Sequence, residues 1–322
     1  MRTRSLLVGT AQTEAPSHNR WWIYQRERFP LLAHSPVILA FSLSAISYSA
    51  LLRGSDRLPG WRPCAVAFLS SLLSFLQLRL ADEFKDFEED SRYRPYRPVP
   101  RGLVTLRELG WVWAGCIVMQ LALCVWLQPR LLVLLGITWL YLGLMTKEFF
   151  ARPWLKARPI VYMVSHMGIM PLVDFYATGC DWATMGYLRP PTGLLWFLLV
   201  SFLNGMVVEI GRKIRSPQDE ETGVETYSFL WGRKNAVLVW LTIMMATASL
   251  ACVAARGIGF GLPEVAILSA VIAIAAGLAH GFLRRQGTGQ GKQLEIMAGV
   301  WSLVLYLSLG VLPLALRYWR LE

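Results

Sequence analysis

Charge is scarce in this chain. Of 322 residues only 16% are Asp, Glu, Lys or Arg, while 55% are hydrophobic and the mean hydropathy is +0.42. A soluble domain carries about 25% charged residues, so the composition excludes an ordinary water-soluble protein. Cysteine pairing is lacking too. Cys64, Cys116, Cys124, Cys180 and Cys252 show neither CxxC nor Cys/His spacing. That excludes a disulfide framework and reads as buried small side chains. Residues 1–19 hold one short apolar run, 6–8, too short for a signal peptide. Net charge of +11 does not point to nucleic acid, because the basic residues sit in short loops between apolar spans.

Those apolar spans are what the chain has in abundance. Nine fall at about 31–52, 61–81, 109–127, 131–147, 158–177, 193–211, 235–255, 259–281 and 296–316, each close to the ~20 residues a bilayer needs. The predicted fold is all-α: a polytopic membrane protein of about nine transmembrane helices around a central cavity. An N-terminal arm with an amphipathic segment occupies 1–30 and the membrane domain 31–322. Pro36, Pro171 and Pro313 lie within spans, where neighbouring helices can repair a lost backbone bond. The fourteen Trp suit interfacial anchoring.

Loop charge sets the expected orientation. With the N-terminus inside, 23 Lys/Arg fall in inside segments and eight outside, with Arg79 within the second span. The inside set includes Arg2 and Arg4 in the arm and Arg285 in the last inside loop. Such asymmetry predicts an integral protein of the cell or inner membrane, with N-terminus and motif-bearing loops cytoplasmic and C-terminus outside.

One of those loops carries three aspartates. Asp82, Asp86 and Asp90 follow the second span at spacings of four, which predicts one helix face with three stacked carboxylates. Such a stack repels itself unless a cation intervenes. Magnesium suits it, held by a few carboxylates together with substrate phosphate oxygens. Arg92, Arg94, Arg97 and Arg101 come next, broken by Pro95, Pro98 and Pro100. Acids for a cation beside arginines for phosphate suit a diphosphate site; the plainer alternative is a solvated acidic helix end. A second cluster follows the sixth span: Glu209, Asp219, Glu220, Glu221 and Glu225, with Arg212, Lys213 and Arg215 among them. Glu209 and Lys213 are spaced for a helical ion pair. An amphipathic surface loop is the alternative there.

At these residues the chain resembles the UbiA superfamily of intramembrane prenyltransferases. Asp82-Glu83-x-x-Asp86-x-x-x-Asp90 is similar to the family's first motif, with Asp82 where Asn is usual. Arg97-Pro98-Val99-Pro100-Arg101-Gly102 resembles the segment downstream of it. Asp219-x-x-x-Gly223-Val224-Glu225-Thr226, with Leu230-Trp231-Gly232 beyond, resembles the end of the second motif. Arg215 stands where the family has an Asp, and Glu225 where it has a Lys. The resemblance implies an integral membrane transferase that moves a prenyl group from a prenyl diphosphate to an aromatic or other lipophilic acceptor, with membrane lipid around it. It implies Mg2+ on Asp82, Asp86 and Asp90, a catalytic part for Asp219, and substrate binding by Arg97, Arg101, Lys147, Glu209, Arg212, Lys213 and Arg215. The two departures put a second magnesium in question and offer the basic residues as its replacement.

Allylic diphosphate departure builds charge on the leaving group and leaves a carbocation that water would quench. Tyr141, Phe149, Phe150, Tyr162 and Tyr227 are candidates to face that cation, with plain packing as the alternative. His166 lies within the fifth span, where ionisable residues mark sites. It is a candidate to orient or deprotonate the acceptor, or else a packing hydrogen bond. Asp174, about 12 Å further along an ideal helix, is expected near the outer face against another helix. Alternatives for the whole chain are a terpene cyclase, a phosphoribosyl-like transferase of the same type, and a non-enzymatic transporter. No inverted repeat supports the last.

Overall fold

In lipid, an apolar run can satisfy its own backbone polar groups by coiling into a helix. The computed structural model does this repeatedly across the described residues, 19–284 and 287–320, among which no strand forms. Arg2, Arg4, Arg285 and the first eighteen residues of the arm lie outside the described residues. Helix α1 (Arg20–Arg28) precedes α2 (Leu31–Leu52) and α3 (Trp61–Lys85). The short α4 (Phe87–Tyr93) and an Arg/Pro loop lead to α5 (Leu106–Leu127) and α6 (Leu131–Thr146). A connector containing α7 (Arg152–Lys156) reaches α8 (Pro159–Met167) and α9 (Ile169–Trp182), one span broken at Gly168. Then come α10 (Leu194–Arg212), α11 (Tyr227–Trp231), α12 (Arg233–Gly257) and α13 (Gly261–Arg284). The last span, α14 (Gln290–Leu309) and α15 (Val311–Trp319), is broken at Gly310.

Counting each broken pair as one, eight spans are long and apolar enough to cross a bilayer, and the 16-residue α6 adds a shorter apolar helix. The expected spans therefore reappear, and 31–52 coincides with α2. Helix α3 runs on to Lys85 and so carries Asp82 within its last turn.

Helices α2, α9, α10 and α14 form the centre, with α3, α12 and α13 packed around them. Trp240, Trp301, Tyr306 and Phe197 are among the largest fully buried side chains there. Polar groups inside the bundle are bonded across helices, the arrangement lipid favours. Tyr306 Oη donates to Asp174 Oδ2 at 3.2 Å, and Ser302 donates to Asn204 at 3.0 Å. Arg53 holds Asp181 through two bonds of 2.9 and 2.7 Å. Asp174, expected near the outer face, is fully buried in the interior instead. The reason is that α9 continues to Trp182, so Asp181 takes the end position.

Helix α5 starts at a capping box. The Thr105 hydroxyl accepts from the Glu108 backbone N–H, and the Glu108 carboxylate accepts from Thr105 N–H. Arg20 of α1 pairs with the same Glu108 at 2.7 Å. Tyr24 of α1 is buried with Leu80, Val99, Val104 and Leu109. Helix α1 is thereby fastened against the end of the bundle that holds the acidic motif.

Gly310 lets α2 and the last span touch. A Cβ at this position would lie 2.4–2.8 Å from Ser44 backbone atoms, whereas one at Gly299 would meet nothing within 4 Å. Gly310→Ala is expected to destabilise the purified protein by about 1–3 kcal/mol, and Gly299→Ala to leave it unchanged. Thermal unfolding in detergent measures both.

Candidate active site

The three aspartates do not share one uninterrupted helix. The chain bends at Asp86, whose φ of −98° and ψ of 5° close α3 and open α4. Acids at a helix C-terminus oppose its dipole, whereas in a first turn they complement it. Starting a new helix puts Glu88, Glu89 and Asp90 in the first turn of α4. The three carboxylates then meet different surroundings. Asp82 has Arg79 at 3.4 Å and Lys85 at 3.7 Å. Asp90 is buried and engaged by Arg94 at 2.9 Å and by Arg97. Glu83, buried beside them, is paired with Arg28 of α1. Asp86 makes no salt bridge or side-chain hydrogen bond among the described residues. Burial, and against the pull of Lys85 the charges of Asp82, Asp90 and Glu89, push its carboxyl above the usual carboxylate range.

Glu209 lies in α10. It holds Arg212 at 2.5 Å and, as its spacing predicts, Lys213 at 2.8 Å. Arg212 lies within charge–charge range of Asp82. The Lys213 ammonium sits 5.7 Å from the Tyr227 ring centre. Asp82, Asp86 and Glu209 thus bring three carboxylates, and Arg79, Lys85 and Arg212 three cations, to one bundle end, and among the described residues Asp86 alone of these three acids has no ion pair.

Other expected site residues are occupied elsewhere. Asp219 accepts a backbone bond from Gly289 at 2.8 Å and ties the second loop to the start of α14. Arg215 bonds Glu221 at 2.9 Å and the Asp219 carbonyl at 3.3 Å. Arg101 reaches Glu27 of α1 at 2.9 Å. Lys147 is exposed at the end of α6. The two motif loops clasp each other: Tyr96 donates to Glu221 at 3.0 Å, and these bonds, with Arg215's, hold the Glu221 carboxyl below its usual range although burial opposes them. Gly223, at φ +78°, lies so close to Tyr93 that a Cβ would fall 2.4 Å from its ring. Arg28, Arg94, Arg97, Arg215 and Glu221 line a cavity of about 350 Å³ between these loops.

Beneath the acids is an aromatic group that sequence reasoning met only in parts. Lys85 Nζ donates to Tyr162 Oη at 2.7 Å, and the Tyr162 ring stacks on His166 with centres 3.9 Å apart. Phe149 meets His166 edge-on at 6.0 Å and Tyr141 at 5.6 Å. Phe150 points outward and is exposed. Phe149 belongs to a turn in which Glu148, Phe149 and Phe150 all have positive φ, of 49°, 51° and 58°. Non-glycine residues held there cost roughly 1–3 kcal/mol each and cluster at functional sites. Buried Glu148 pairs with Arg152 at 3.1 Å. Arg152 also approaches Glu89, which Lys156 bonds as well. Lys85, Tyr162 and Glu148 had no motif to mark them; the positive-φ turn contains no glycine or asparagine that would have flagged it.

Among the described residues, no three His, Cys, Asp or Glu side chains converge as a ready-made metal cage. Asp90, expected as a metal ligand, is committed to Arg94 and Arg97. Asp86 with its neighbour Asp82 can contribute one or two carboxylates to a magnesium ion completed by phosphate oxygens and water, the set that ion prefers.

Comparison with known proteins bears on the family and the fold. A profile of the UbiA prenyltransferase family matches residues 42–303. No curated protein matches the sequence. Among solved structures, an apo UbiA homologue from Aeropyrum pernix K1 is similar with a TM-score of 0.64 at 15% identity, covering 85% of this chain and 96% of its own. A digeranylgeranylglyceryl phosphate synthase gives 0.59 at 14%, covering 92% and 99%. A UbiA homologue from Archaeoglobus fulgidus, bound to DMAPP and Mg2+, gives 0.52 at 12%, covering 88% and 99%.

The contrast between Asp86 and Asp90 is measurable without substrate. Asp90→Asn strands two arginines and is expected to cost about 1–3 kcal/mol of stability. Asp86→Asn removes a carboxylate that its surroundings disfavour, so stability stays level or rises. Thermal melts of both variants in metal-free buffer check the pair.

Proposed function

The chain belongs to the UbiA prenyltransferase family, and from that premise we propose that it moves a prenyl group from a prenyl diphosphate to a lipophilic acceptor with the help of one magnesium ion. The observation that carries this reading is the unpartnered Asp86 beside Asp82, with Arg212 within charge–charge range of Asp82. A diphosphate brought there meets both a metal-binding carboxylate and fixed cations. In the same reading, residues 1–30 are an arm on the membrane domain, and the motif loops face the cytoplasm.

Bound magnesium supplies positive charge to the diphosphate oxygens as the allylic bond breaks. Asp86 and Asp82 would hold the ion. Arg212 and Lys213, aligned by Glu209, bind diphosphate oxygens directly and take the part of a second metal. A guanidinium does this well, because its donors match phosphate geometry. Arg79 and Lys85 flank Asp82 and keep the acidic pair from repelling the incoming anion. The stacked Tyr162 and the edge of Phe149 lie on the side toward the membrane interior, where water is excluded and a ring face can steady the allylic cation. Asp90, Arg94, Arg97, Arg215 and Asp219 build the loops that frame the site.

Two measurements test this on the protein in detergent with prenyl diphosphates of several lengths. Asp86→Ala is expected to abolish metal-dependent diphosphate release, and EDTA to do the same to the unmutated protein. Arg212→Ala is expected to weaken binding of a non-hydrolysable prenyl diphosphate about 10- to 100-fold with the magnesium dependence unchanged. Full turnover in EDTA, or a silent Arg212→Ala with an inactive Asp219→Ala, would contradict the assignment.

A further inference from the structure

His166 sits in the last turn of α8, just before the break at Gly168. The break is held open by Tyr141. Its hydroxyl donates to the Ser165 carbonyl at 2.6 Å and occupies the space that a Cβ on Gly168 would need. Non-helical backbone at membrane depth occurs where it borders protein or a cavity. The imidazole itself is buried, with Nδ1 2.8 Å from the Tyr162 carbonyl and 3.3 Å from Ser165 Oγ. A carbonyl only accepts, so Nδ1 carries the hydrogen of that bond. In the neutral ring, Nε2 is then a lone pair. That Nε2 is buried and has no hydrogen-bond partner among the described residues.

A histidine that served only to join helices would be expected to use both nitrogens, since buried polar atoms are nearly always bonded. Here one nitrogen is fastened and the other is left open. The ring cannot turn freely, because Tyr162 stacks on one face and Phe149 abuts its edge. Tyr162 is in turn fixed by Lys85, whose neighbour is Asp86. The imidazole is therefore one aromatic ring away from Lys85, which adjoins Asp86. The charges that reach it are Lys85 and Asp82 from α3 and Glu209 from α10.

We propose that His166 Nε2 is the proton acceptor for the incoming substrate, and that this substrate is a neutral hydroxyl compound, a phenol or an alcohol. The inference rests on the prenyl-transfer reading above. The aromatic wall of Tyr141, Phe149 and Tyr162 suits a neutral apolar molecule. Lys85, the ammonium beside that wall, is already bonded to Tyr162 and paired with Asp82, which leaves it poorly placed to receive a carboxylate or phosphate. In the step, the acceptor oxygen forms a bond to the first prenyl carbon. The bond from that carbon to diphosphate breaks, and its electron pair leaves with the diphosphate. The acceptor's proton passes to Nε2. Phe149, on its positive-φ turn, is the side chain that must move for the hydroxyl to reach the nitrogen.

The test uses the full chain in detergent micelles. Nitrogen NMR of histidine-labelled protein is expected to show His166 protonated on Nδ1 and unprotonated on Nε2 at neutral pH, with the signal assigned by its loss in His166→Phe. That variant keeps the stack and removes the base; His166→Gln is the second deletion should the first misfold. Across a series of phenols, the loss of prenyl transfer in the variant is expected to reach about 100-fold or more for weakly acidic acceptors. It should shrink at least tenfold for phenols already ionised at the assay pH. Binding of a non-hydrolysable prenyl diphosphate should stay unchanged. A protonated Nε2, an equal loss across the series, or a parallel loss of analogue binding overturns the proposal. So does an unmutated protein that binds the analogue with magnesium yet prenylates no phenol or alcohol. Failure of the unmutated protein to bind the analogue at all sinks the transferase reading, and this inference with it, and is scored separately.

Discussion

A carboxylate near the hydrocarbon boundary must find a positive partner, and this requirement arranges the motif-bearing end of the bundle. Glu83 takes Arg28, Asp90 takes Arg94 and Arg97, Glu209 takes Arg212 and Lys213, and Glu148 takes Arg152. Each pair also links separate elements or stiffens a helix end: α1 to α3, α4 to the Arg/Pro loop, and the connector back on α4. Asp86 is left without an ion pair, and burial together with the neighbouring acids raises its carboxyl above the usual carboxylate range.

The same bookkeeping explains the departures from the family's second motif. Arg215, standing in place of an aspartate, is drawn to Glu221 in the clasp between the loops. Asp219 is spent on the α14 start. Arg212 lies within charge–charge range of Asp82, and Glu209 pairs with both Arg212 and Lys213. Fixed cations have a physical advantage here: they need no reorganisation when the leaving group's charge appears. Their cost is desolvation, which the Glu209 ion pairs offset.

Much of this was legible in the sequence, and the exceptions have physical causes. Span positions followed from hydrophobic length, because in lipid length and helix are nearly the same statement. The Glu209–Lys213 pair followed from helical spacing. The stacked triplet did not survive, since spacing of four assumes an unbroken helix and the dipole preference of the acids favours a new start at Phe87. The partners of Asp219, Arg97 and Arg101 were not legible, because a motif gives residue type but not partner: the backbone of Gly289, Asp90 and Glu27 lie 70, 7 and 74 residues away. The break at Gly168 needed Tyr141, and the left-handed turn at Glu148 needed tertiary contacts that no local propensity encodes. His166 was visible as an ionisable residue in a span; which of its nitrogens is open was not.

The central claim is that one metal and two fixed cations share the work of holding the diphosphate. Its most direct measurement is the number of Mn2+ ions bound, in place of magnesium, by the unmutated protein saturated with a non-hydrolysable prenyl diphosphate. Electron paramagnetic resonance counts the ions and reports whether they couple. The account predicts one ion with the signal of an isolated centre, lost in Asp86→Ala and retained in Asp219→Ala. Two coupled ions, with the second lost in Asp219→Ala, would contradict it.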